Sequence, residues 1–527
     1  MTLILKPCNF VFLFLLFSLP QMSNSLRKKD NRSRVSGEHA PAPSSKRRGA
    51  SDNKGGNGGD DEEDGNELED EADLEFEDPF GDEFEEEIIV DGDSEEARAD
   101  AARYEPGGEG APASTQRVWR AGLDPIGEDE VLDHDPTAYT LFHKLKVEWP
   151  CLSIDILRDS LGAYRTKLPA ALYMVAGSQA DDAGKNKVSL LKITNLCRTS
   201  LPDEDEDDDD DDDEDGAAGQ DPLVEARAFK HPGGVNRIRA MPQQPSLVAT
   251  WADTGAVHLW NMSAHSASID APTEVFEANN KPMASMLSFE GHGSEGFALD
   301  WSHVAAGRLA SGCCGGKIFL YTVDPAGAVT VDAAPFNVHE GASVEDIQWS
   351  ATEEFIFAAG ATDGTVRIFD SRAYARGRHM LSVKCHDADV NVISWNRNGD
   401  GSMLASGGDD GRLRVWDLRY FSQTSVPADF NYHKKAITSV QWHPHEESVL
   451  IASSEDDSVS VWDLALEADA EEVAREATGA QMVDYSIPPQ LLFVHMGQTH
   501  IKEAHFHPQV RLYSRLYLMS IRGYLQE

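Results

Sequence analysis

Four histidines recur at a constant interval of 47 residues, namely His292, His339, His386 and His433. The unit that starts at His386 also carries Ser406, Asp410 and Trp416. Histidine, serine and aspartate are residue types of catalytic and metal-binding sites. They also satisfy a buried histidine, because each of its ring nitrogens needs a partner such as a carboxylate or a hydroxyl. Since a constant interval is typical of a repeat architecture, we expect a structural role for these residues.

The repeat extends on both sides of these histidines, because His231 precedes them and His495 follows them after longer gaps. Each unit closes on an aromatic residue, at Trp260, Tyr321, Phe369, Trp416 and Trp462. Between histidine and aromatic, short segments alternate apolar with other residues, as at Val390, Val392 and Ser394. Such alternation is typical of half-buried strands. The sequence therefore predicts an all-β fold with about four short strands in each unit.

The unit endings resemble those of the WD-repeat family. The dipeptide itself occurs at Trp416-Asp417 and Trp462-Asp463, and relaxed forms occur at Phe369-Asp370 and Trp260-Asn261. The resemblance implies a seven-bladed WD-repeat β-propeller over the last two thirds of the chain. It also implies that four residues tie one blade together as a hydrogen-bonded tetrad, namely His386, Ser406, Asp410 and Trp416.

Three units depart from this pattern. The third has Gly315-Gly316 where the turn aspartate is expected, and the fourth has Ala359 at the serine position, so we expect weaker networks there. After Gln509 the chain continues as VRLYSRLYLMSIRGYLQE, without the expected small-residue strand and Asp-Gly turn. The seventh blade is therefore predicted to be incomplete, which would leave an unpaired strand edge.

The net charge of -45 on 527 residues is concentrated in two appendages. Residues 22–116 are polar and rich in Gly and Pro, with basic clusters at Arg27-Lys28-Lys29 and Lys46-Arg47-Arg48 before an acidic stretch over residues 60–100. We expect this tail to be disordered. Aromatic and aliphatic residues set among its acids favour binding to a basic surface, the alternative being an inert solubilising tail. A second acidic run, residues 203–215, is predicted to project from the first blade.

The first 21 residues contain an apolar run, FVFLFLLFSL, that is too short to span a membrane and resembles a signal-peptide core. Met22 then opens a polar stretch that looks like the start of an intracellular protein. We interpret residues 1–21 as a start-site extension, with secretion as the minority alternative. The six cysteines show neither a disulfide framework nor metal-ligand spacing.

Residues 117–148 are predicted to contain a helix that ends near Lys146, because Asp135 is suited to its N-cap and Pro136 to its first turn. The propeller is predicted over residues 149–527. The passage Val147-Glu148-Trp149-Pro150-Cys151-Leu152-Ser153 resembles the retinoblastoma-binding and chromatin-assembly histone chaperones. With the acidic N-terminus and the Asp-Pro-x-x-Tyr segment, the chain is most similar to the glutamate-rich WD-repeat proteins of ribosome biogenesis.

This resemblance implies a client groove between the predicted helix and a Pro-Pro loop in the insertion at residues 467–490. Its walls would be Tyr139 and Phe142 on one side and Pro488 and Pro489 on the other. Its acidic rim would be Glu471, Glu472 and Asp484. The alternative is that Phe142 only fastens the helix to the propeller.

No phosphate-binding loop, nucleophile elbow or metal-ligand cluster is recognisable, so no enzyme activity, cofactor or metal is expected. We expect a scaffold or chaperone for basic clients, a ribosomal protein or a histone, in the nucleus and its nucleolus. Direct binding to nucleic acid is disfavoured because the acidic tracts repel phosphate, and no membrane association is expected.

A different function is suggested by two tetrapeptides at the ends of consecutive units. Asp370 and Arg372, and likewise Asp417 and Arg419, form Asp-x-Arg boxes. They resemble the box by which propellers dock on the adaptor of cullin ubiquitin ligases. The alternative function is therefore that of a ligase substrate receptor.

Overall fold

A computed structural model of the chain describes residues 10–18, 139–166, 168–199, 221–271, 283–337, 341–373, 378–467, 487–510 and 515–522. The chain divides into two compact units, and all of these residues belong to the unit made of Met1–Ser23 and Val131–Glu527. The acidic insertion at residues 203–215 and the tail at residues 22–116 lie outside the described residues. Their predicted disorder stays a prediction.

The described residues are almost entirely β-strand and turn. In chain order the strands are β1 (Phe10–Ser18), β2 (Tyr139–Val147), β3 (Cys151–Leu157), β4 (Ala170–Ser178), β5 (Lys187–Leu196), β6 (Leu223–Lys230), β7 (Val235–Met241), β8 (Gln244–Ala252), β9 (Val257–Asn261), β10 (Leu287–Phe289), β11 (Ala298–Trp301), β12 (Arg308–Gly312), β13 (Lys317–Val323), β14 (Val329–Val331), β15 (Phe336–Asn337), β16 (Val344–Trp349), β17 (Ile356–Ala361), β18 (Thr365–Asp370), β19 (Leu381–Lys384), β20 (Val390–Trp395), β21 (Met403–Gly408), β22 (Leu413–Asp417), β23 (Ala428–Phe430), β24 (Ile437–Trp442), β25 (Val449–Ser454), β26 (Ser458–Asp463), β27 (Leu491–Met496), β28 (Ile501–Phe506) and β29 (Arg515–Arg522). The described helical elements are α1 (Ser263–Ile269) and two 3-10 turns, Ala183–Lys185 and Leu418–Tyr420.

These strands form seven sheets. Six sheets use strands consecutive in the chain: β3 to β6, β7 to β10, β11 to β15, β16 to β19, β20 to β23 and β24 to β27. The first strand of each of these sheets packs against the first strand of the next. The predicted all-β propeller class is confirmed.

The remaining sheet joins the two ends of the chain in the order β2-β1-β29-β28. Its β29 lies in the C-terminal stretch that lacks the punctuation of the repeat, and it pairs with both β28 and β1. The sheet is therefore four-stranded, although the C-terminal stretch supplies only one strand after β28. The missing strands come from the N-terminal part of the chain, which the repeat pattern does not include.

The helix predicted before Lys146 is wrong over residues 139–147, which form β2. This segment has apolar residues at both helical and strand spacing, and pairing decides between them. Along β2, Leu141, Leu145 and Val147 pack on one core cluster at every second or fourth position, as a strand requires. Pairing with β1 then satisfies the backbone hydrogen-bonding groups of β2 along its length.

The apolar run near the N-terminus is a strand of the same sheet, not a segment outside the propeller as the predicted boundary at residue 21 implied. Leu15 in β1 is paired with Phe142 of β2 on one side and with Leu518 of β29 on the other. A continuous apolar run of this length fits a strand that has neighbours on both edges. No helix of the described residues is long and apolar enough to cross a membrane.

Neighbouring sheets approach closely at small residues. At Gly312, Gly360 and Gly407, at or near the ends of three second strands, an added Cβ would overlap a Val or Ile side chain of the next sheet's first strand. Large apolar residues fill the remaining space, and Trp251, Trp301, Trp416 and Trp462 are among the largest fully buried side chains. The core therefore lies between sheets, so each sheet depends on its two neighbours for burial.

Deleting residues 1–21 removes β1 from the middle of its sheet and exposes the edges of β2 and β29. We expect a lower melting temperature and more aggregation than for the full chain, because unpaired strand edges associate. Deletion of residues 1–8, which precede β1, is the control and should leave both properties unchanged. Equal melting temperatures for the two deletions, measured by circular dichroism, would contradict the placement of β1.

Candidate functional site

The structure brings together the four residues around His386. Its Nδ1 lies 2.9 Å from the Asp410 carboxylate and its Nε2 lies 2.8 Å from Ser406 Oγ. Trp416 Nε1 donates to the same hydroxyl over 2.9 Å. Burial alone would raise the pKa of Asp410, but the hydrogen bond and charge of His386 outweigh it and hold this pKa below its usual range. Because His386 and Ser406 are buried, this geometry joins turn, strands and loop and presents no reactive group to solvent.

A second complete network surrounds His433. Its Nδ1 lies 3.0 Å from Asp456 and its Nε2 lies 2.7 Å from Ser460, to which Trp462 Nε1 also donates. The hydroxyl comes from β26, whereas Ser406 belongs to the second strand of its sheet. The same residue types therefore reach the same arrangement from different strands.

The networks are smaller in the units that lack the turn acid. His292 Nε2 contacts Ser311 Oγ at 2.7 Å, and that hydroxyl contacts Tyr321 OH. Within the part of the chain that the structure describes, His292 Nδ1 has no hydrogen-bond partner, because the turn carries Gly315-Gly316. Burial lowers the pKa of His292 to about 3, so this imidazole is neutral at pH 7. His339 lies outside the described residues.

Tyr139 and Phe142 lie against the outer strand of the neighbouring sheet. Tyr139 is only 5% exposed, and its hydroxyl lies 2.8 Å from His495 Nδ1. Its ring contacts Phe493 edge to face, with the centroids 5.7 Å apart, and the Phe142 ring lies 5.0 Å from that of Tyr139. Both aromatic residues thus join β2 to β27, which matches the fastening role considered for Phe142.

Of the other predicted groove residues, Pro488 and Pro489 precede β27 in a turn closed by the hydrogen bond from Leu491 N to Pro488 O. Pro489 is exposed, as is Ile487 beside the pair. β27 links this turn to the aromatic contacts of Tyr139. The acidic rim, Glu471, Glu472 and Asp484, lies outside the described residues.

The two Asp-x-Arg boxes adopt one geometry. Arg372 forms two side-chain hydrogen bonds to Asp370, at 3.0 and 2.7 Å, and Arg419 likewise reaches Asp417. Hydrogen bonding to the arginine lowers the pKa of each aspartate. The Arg372 and Arg419 side chains remain 62% and 59% exposed. Each box therefore holds an exposed guanidinium at the end of a strand.

A cavity of about 580 Å³ lies on the axis of the seven sheets, and no sequence motif indicates it. Its wall is formed by the ends of the first strands β3, β7, β11, β16, β20, β24 and β28, and we call it the axial cavity. Charged residues line it, namely Asp155, Arg158, Arg237, Arg239, Asp300, Asp346, Arg397 and Glu503. No group of three or more potential metal ligands was found among the described residues.

Side chains in the wall of the axial cavity join one sheet to the next. Asp155 accepts a hydrogen bond from Ala240 N, Asp300 from Trp349 N, Asp346 from Ile393 N, Ser394 from Trp442 N and Ser439 from Ala504 N. Between β7 and β11 the donor is Trp301 Nε1 and the acceptor is Arg239 O. Each first strand thus has a side-chain hydrogen bond to the first strand of the following sheet.

The last of these junctions carries the most charge. Glu503 on β28 accepts a hydrogen bond from Ile154 N on β3 at 2.9 Å, and it forms ion pairs with Arg237 at 2.6 Å and Arg239 at 3.1 Å. Burial opposes ionisation, but the positive charge of Arg239 and the hydrogen bond from His505 outweigh it and hold the pKa of Glu503 well below its usual range. A buried carboxylate therefore fastens the last sheet to the first two.

Comparison with protein families gives two partial matches. A family model described as that of the histone-binding protein RBBP4, which also covers a component of the CAF1 complex, matches residues 129–197. A model described as the N-terminal domain of nucleolar protein 10-like proteins matches residues 333–510. The first match covers β2 to β5 and the second covers most of the last four sheets.

Three curated proteins are similar over most of the chain. Glutamate-rich WD repeat-containing protein 1 of Dictyostelium discoideum is 45% identical over 76% of this chain and 83% of its own length. Protein HEAT STRESS TOLERANT DWD 1 of Arabidopsis thaliana is also 45% identical, over 76% of this chain and 88% of its own. Ribosome assembly protein rrb1 of Schizosaccharomyces pombe is 37% identical, over 83% and 89%.

Replacing Glu503 by Gln should lower the free energy of unfolding by about 3 kcal/mol at pH 7, because Arg237 and Arg239 then stay buried without a carboxylate. Since the folded-state pKa lies below the ordinary value of 4.5, the carboxylate stabilises the fold above that pH. This contribution is lost as the pH falls through 4.5 and below. The difference between Glu503→Gln and the unaltered chain should therefore shrink in acid.

The control for this variant is Glu455→Gln. Glu455 is 47% exposed and lies 3.5 Å from Lys502, and such surface pairs contribute about 1 kcal/mol or less. Chemical denaturation of both variants at pH 7 and pH 4 measures the effect. Equal losses at pH 7 would show that Glu503 has no special role in joining the sheets.

Proposed function

Because the chain belongs to the family of glutamate-rich WD-repeat-containing proteins, we propose that it is a non-catalytic propeller scaffold that binds basic client proteins during ribosome biogenesis. The observation that carries this proposal is the similarity over most of the chain to a protein named for ribosome assembly. The match of residues 129–197 to a histone-binding family model supports a basic client, a ribosomal protein or a histone. The site of action is then the nucleus and its nucleolus, consistent with the basic clusters at residues 27–29 and 46–48.

The scaffold is a closed ring of seven blades, one for each sheet. The hydrogen bond from Ile154 N to Glu503 supports closure, because it joins the last first strand to the earliest one. β1 and β2 supply the two outer strands of the seventh blade. A closed ring holds surface loops in fixed relative positions, which favours recognition of a folded or partly folded client.

Long-range attraction brings the client to this ring. The acidic run at residues 203–215 leaves the first sheet between β5 and β6, and the tail adds a second run at residues 60–100. Exposed charges act over about 8 Å at physiological salt, so these tracts raise the association rate with a basic protein. The propeller then selects the client by short-range contacts.

The short-range contacts lie beside β27. Because Tyr139 is buried and bonded to His495, the apolar part of the contact is provided by exposed Ile487 and Pro489 and by the partly buried ring of Phe142. The acidic rim, Glu471, Glu472 and Asp484, pairs with Lys or Arg that flank the client's apolar face. This division gives the groove both shape and charge selectivity.

Changing Glu471 and Glu472 together to Lys should weaken binding of a histone or ribosomal protein, because attraction at the rim becomes repulsion. The melting temperature should change little, since exposed charges contribute little to folding. Glu353→Lys with Glu354→Lys makes the same charge change at exposed residues of another sheet and is the control. Fluorescence titration at two salt concentrations measures affinity. Equal weakening by both double variants would mean that only net charge matters and would contradict the groove.

A ligase substrate receptor is the second candidate function. It is favoured by the exposure of Arg372 and Arg419 in boxes of matching geometry, on consecutive sheets. The Arabidopsis relative carries "DWD" in its name.

Arg372→Ala with Arg419→Ala should abolish capture of the cullin-ligase adaptor by this chain, if the second candidate is right. Arg378→Ala, at an exposed arginine outside both boxes, is the control. Affinity purification followed by mass spectrometry is the measurement. Undiminished adaptor capture by the double variant would exclude docking through the boxes, and absence of the adaptor from every preparation would leave the scaffold function alone.

A further inference from the structure

The charges of the axial cavity are unevenly satisfied. Arg237 and Arg239 are both paired with Glu503 on the cavity wall. Arg158 and Arg397, by contrast, form no hydrogen bond or ion pair with any described residue, and both are accessible to solvent. They follow β3 and β20, from sheets that are not adjacent, yet both line the same cavity.

These two guanidinium groups are close enough to affect one another and their surroundings. Although Arg397 is accessible to solvent, the cavity walls surround it, and this burial lowers its pKa; the carboxylates of Asp300 and Asp155 oppose the shift, and repulsion by Arg158 adds to it. Burial also lowers the pKa of His303, with repulsion from both arginines adding to the effect, so this imidazole is neutral at pH 7. Like charges held together without a partner destabilise a site, and a bound anion would remove that repulsion.

The facing carboxyl groups do not fully neutralise the arginines. Burial raises the pKa of Asp300 to about 7, so this group is only partly ionised at neutral pH. Burial likewise raises the pKa of Asp155 and Asp346. The charge of Glu503 is already matched by Arg237 and Arg239. The balance of the open part of the cavity is therefore towards positive charge.

The acidic side of the cavity has hydrogen-bonding capacity left over. Asp155 uses Oδ2 to accept from Ala240 N, and Asp300 uses Oδ2 to accept from Trp349 N. The Oδ1 atoms of both carboxyl groups have no hydrogen-bond partner among the described residues. A ligand that reached them would donate hydrogen bonds through hydroxyl or amino groups.

We propose that the axial cavity binds a small phosphate ester, with the phosphate held by Arg158 and Arg397 and the hydroxyl-bearing part directed to Asp155 and Asp300. Guanidinium groups recognise phosphate by paired, charge-assisted hydrogen bonds. The cavity volume of about 580 Å³ lies within the range of small-molecule sites. This site is independent of the client groove, because none of its residues lies on β2 or β27.

Isothermal titration of the full chain with ribose 5-phosphate, at constant ionic strength, tests this proposal. Saturable binding with one site per chain is expected, and Arg158→Gln with Arg397→Gln should weaken it by at least about tenfold. Arg378→Gln, which alters an exposed arginine outside the cavity, should bind normally. The double variant should fold, because neither arginine has a partner to lose among the described residues, and circular dichroism checks this.

Two further ligands separate the parts of the site. Neutral ribose should not bind, since it lacks the phosphate. Inorganic phosphate should bind more weakly than the ester, because it cannot reach Asp155 and Asp300 as well. Affinity unchanged in the double variant, or no saturable binding of the ester, would overturn the site, and equal affinity for inorganic phosphate and ester would overturn the role of the acidic side.

Discussion

A buried carboxylate, Glu503, holds the place where the end of the repeat meets its beginning. Every other pair of neighbouring first strands is consecutive along the chain, but β28 and β3 are separated by more than three hundred residues. With 1% of its surface exposed, Glu503 needs partners for its charge, and Arg237, Arg239 and Ile154 N supply them. Since the core lies between sheets, loss of this junction would expose one face of the first sheet and one of the last. The remaining sheets depend on this contact for their own burial.

The residue types that suggest chemistry are thus used for structure. His386 and His433 are buried and hydrogen-bonded to carboxylates and hydroxyls that fix turns and strands. Asp300 and Asp346 carry out a related task around the axis, where they accept backbone hydrogen bonds from the next sheet. Binding capacity is left to groups that the scaffold does not need: the acidic tracts, the exposed arginines of the two boxes, and Arg158 and Arg397 in the axial cavity.

Features that repeat with a local pattern could be predicted from the sequence. The all-β propeller class and the association of His386, Ser406, Asp410 and Trp416 follow from residue types spaced within one unit. The structure of residues 139–147 could not be predicted, because Tyr139, Leu141, Phe142 and Leu145 fit a helix as well as a strand. Only pairing with β1 decides between them, and β1 lies more than one hundred residues away. The axial cavity was also missed, since each sheet contributes one or a few residues to it and no motif links them.

The central claim is that the ring is closed by the hydrogen bond from Ile154 N to Glu503, and amide hydrogen exchange at Ile154 tests it most directly. The Ile393 amide is the reference, because it donates to Asp346 at a junction between consecutive sheets at a similar distance, 3.0 against 2.9 Å. If the ring is closed, both amides should exchange at similar, slow rates, since exchange requires the same opening of neighbouring sheets. Rapid exchange at Ile154 together with slow exchange at Ile393 would contradict closure.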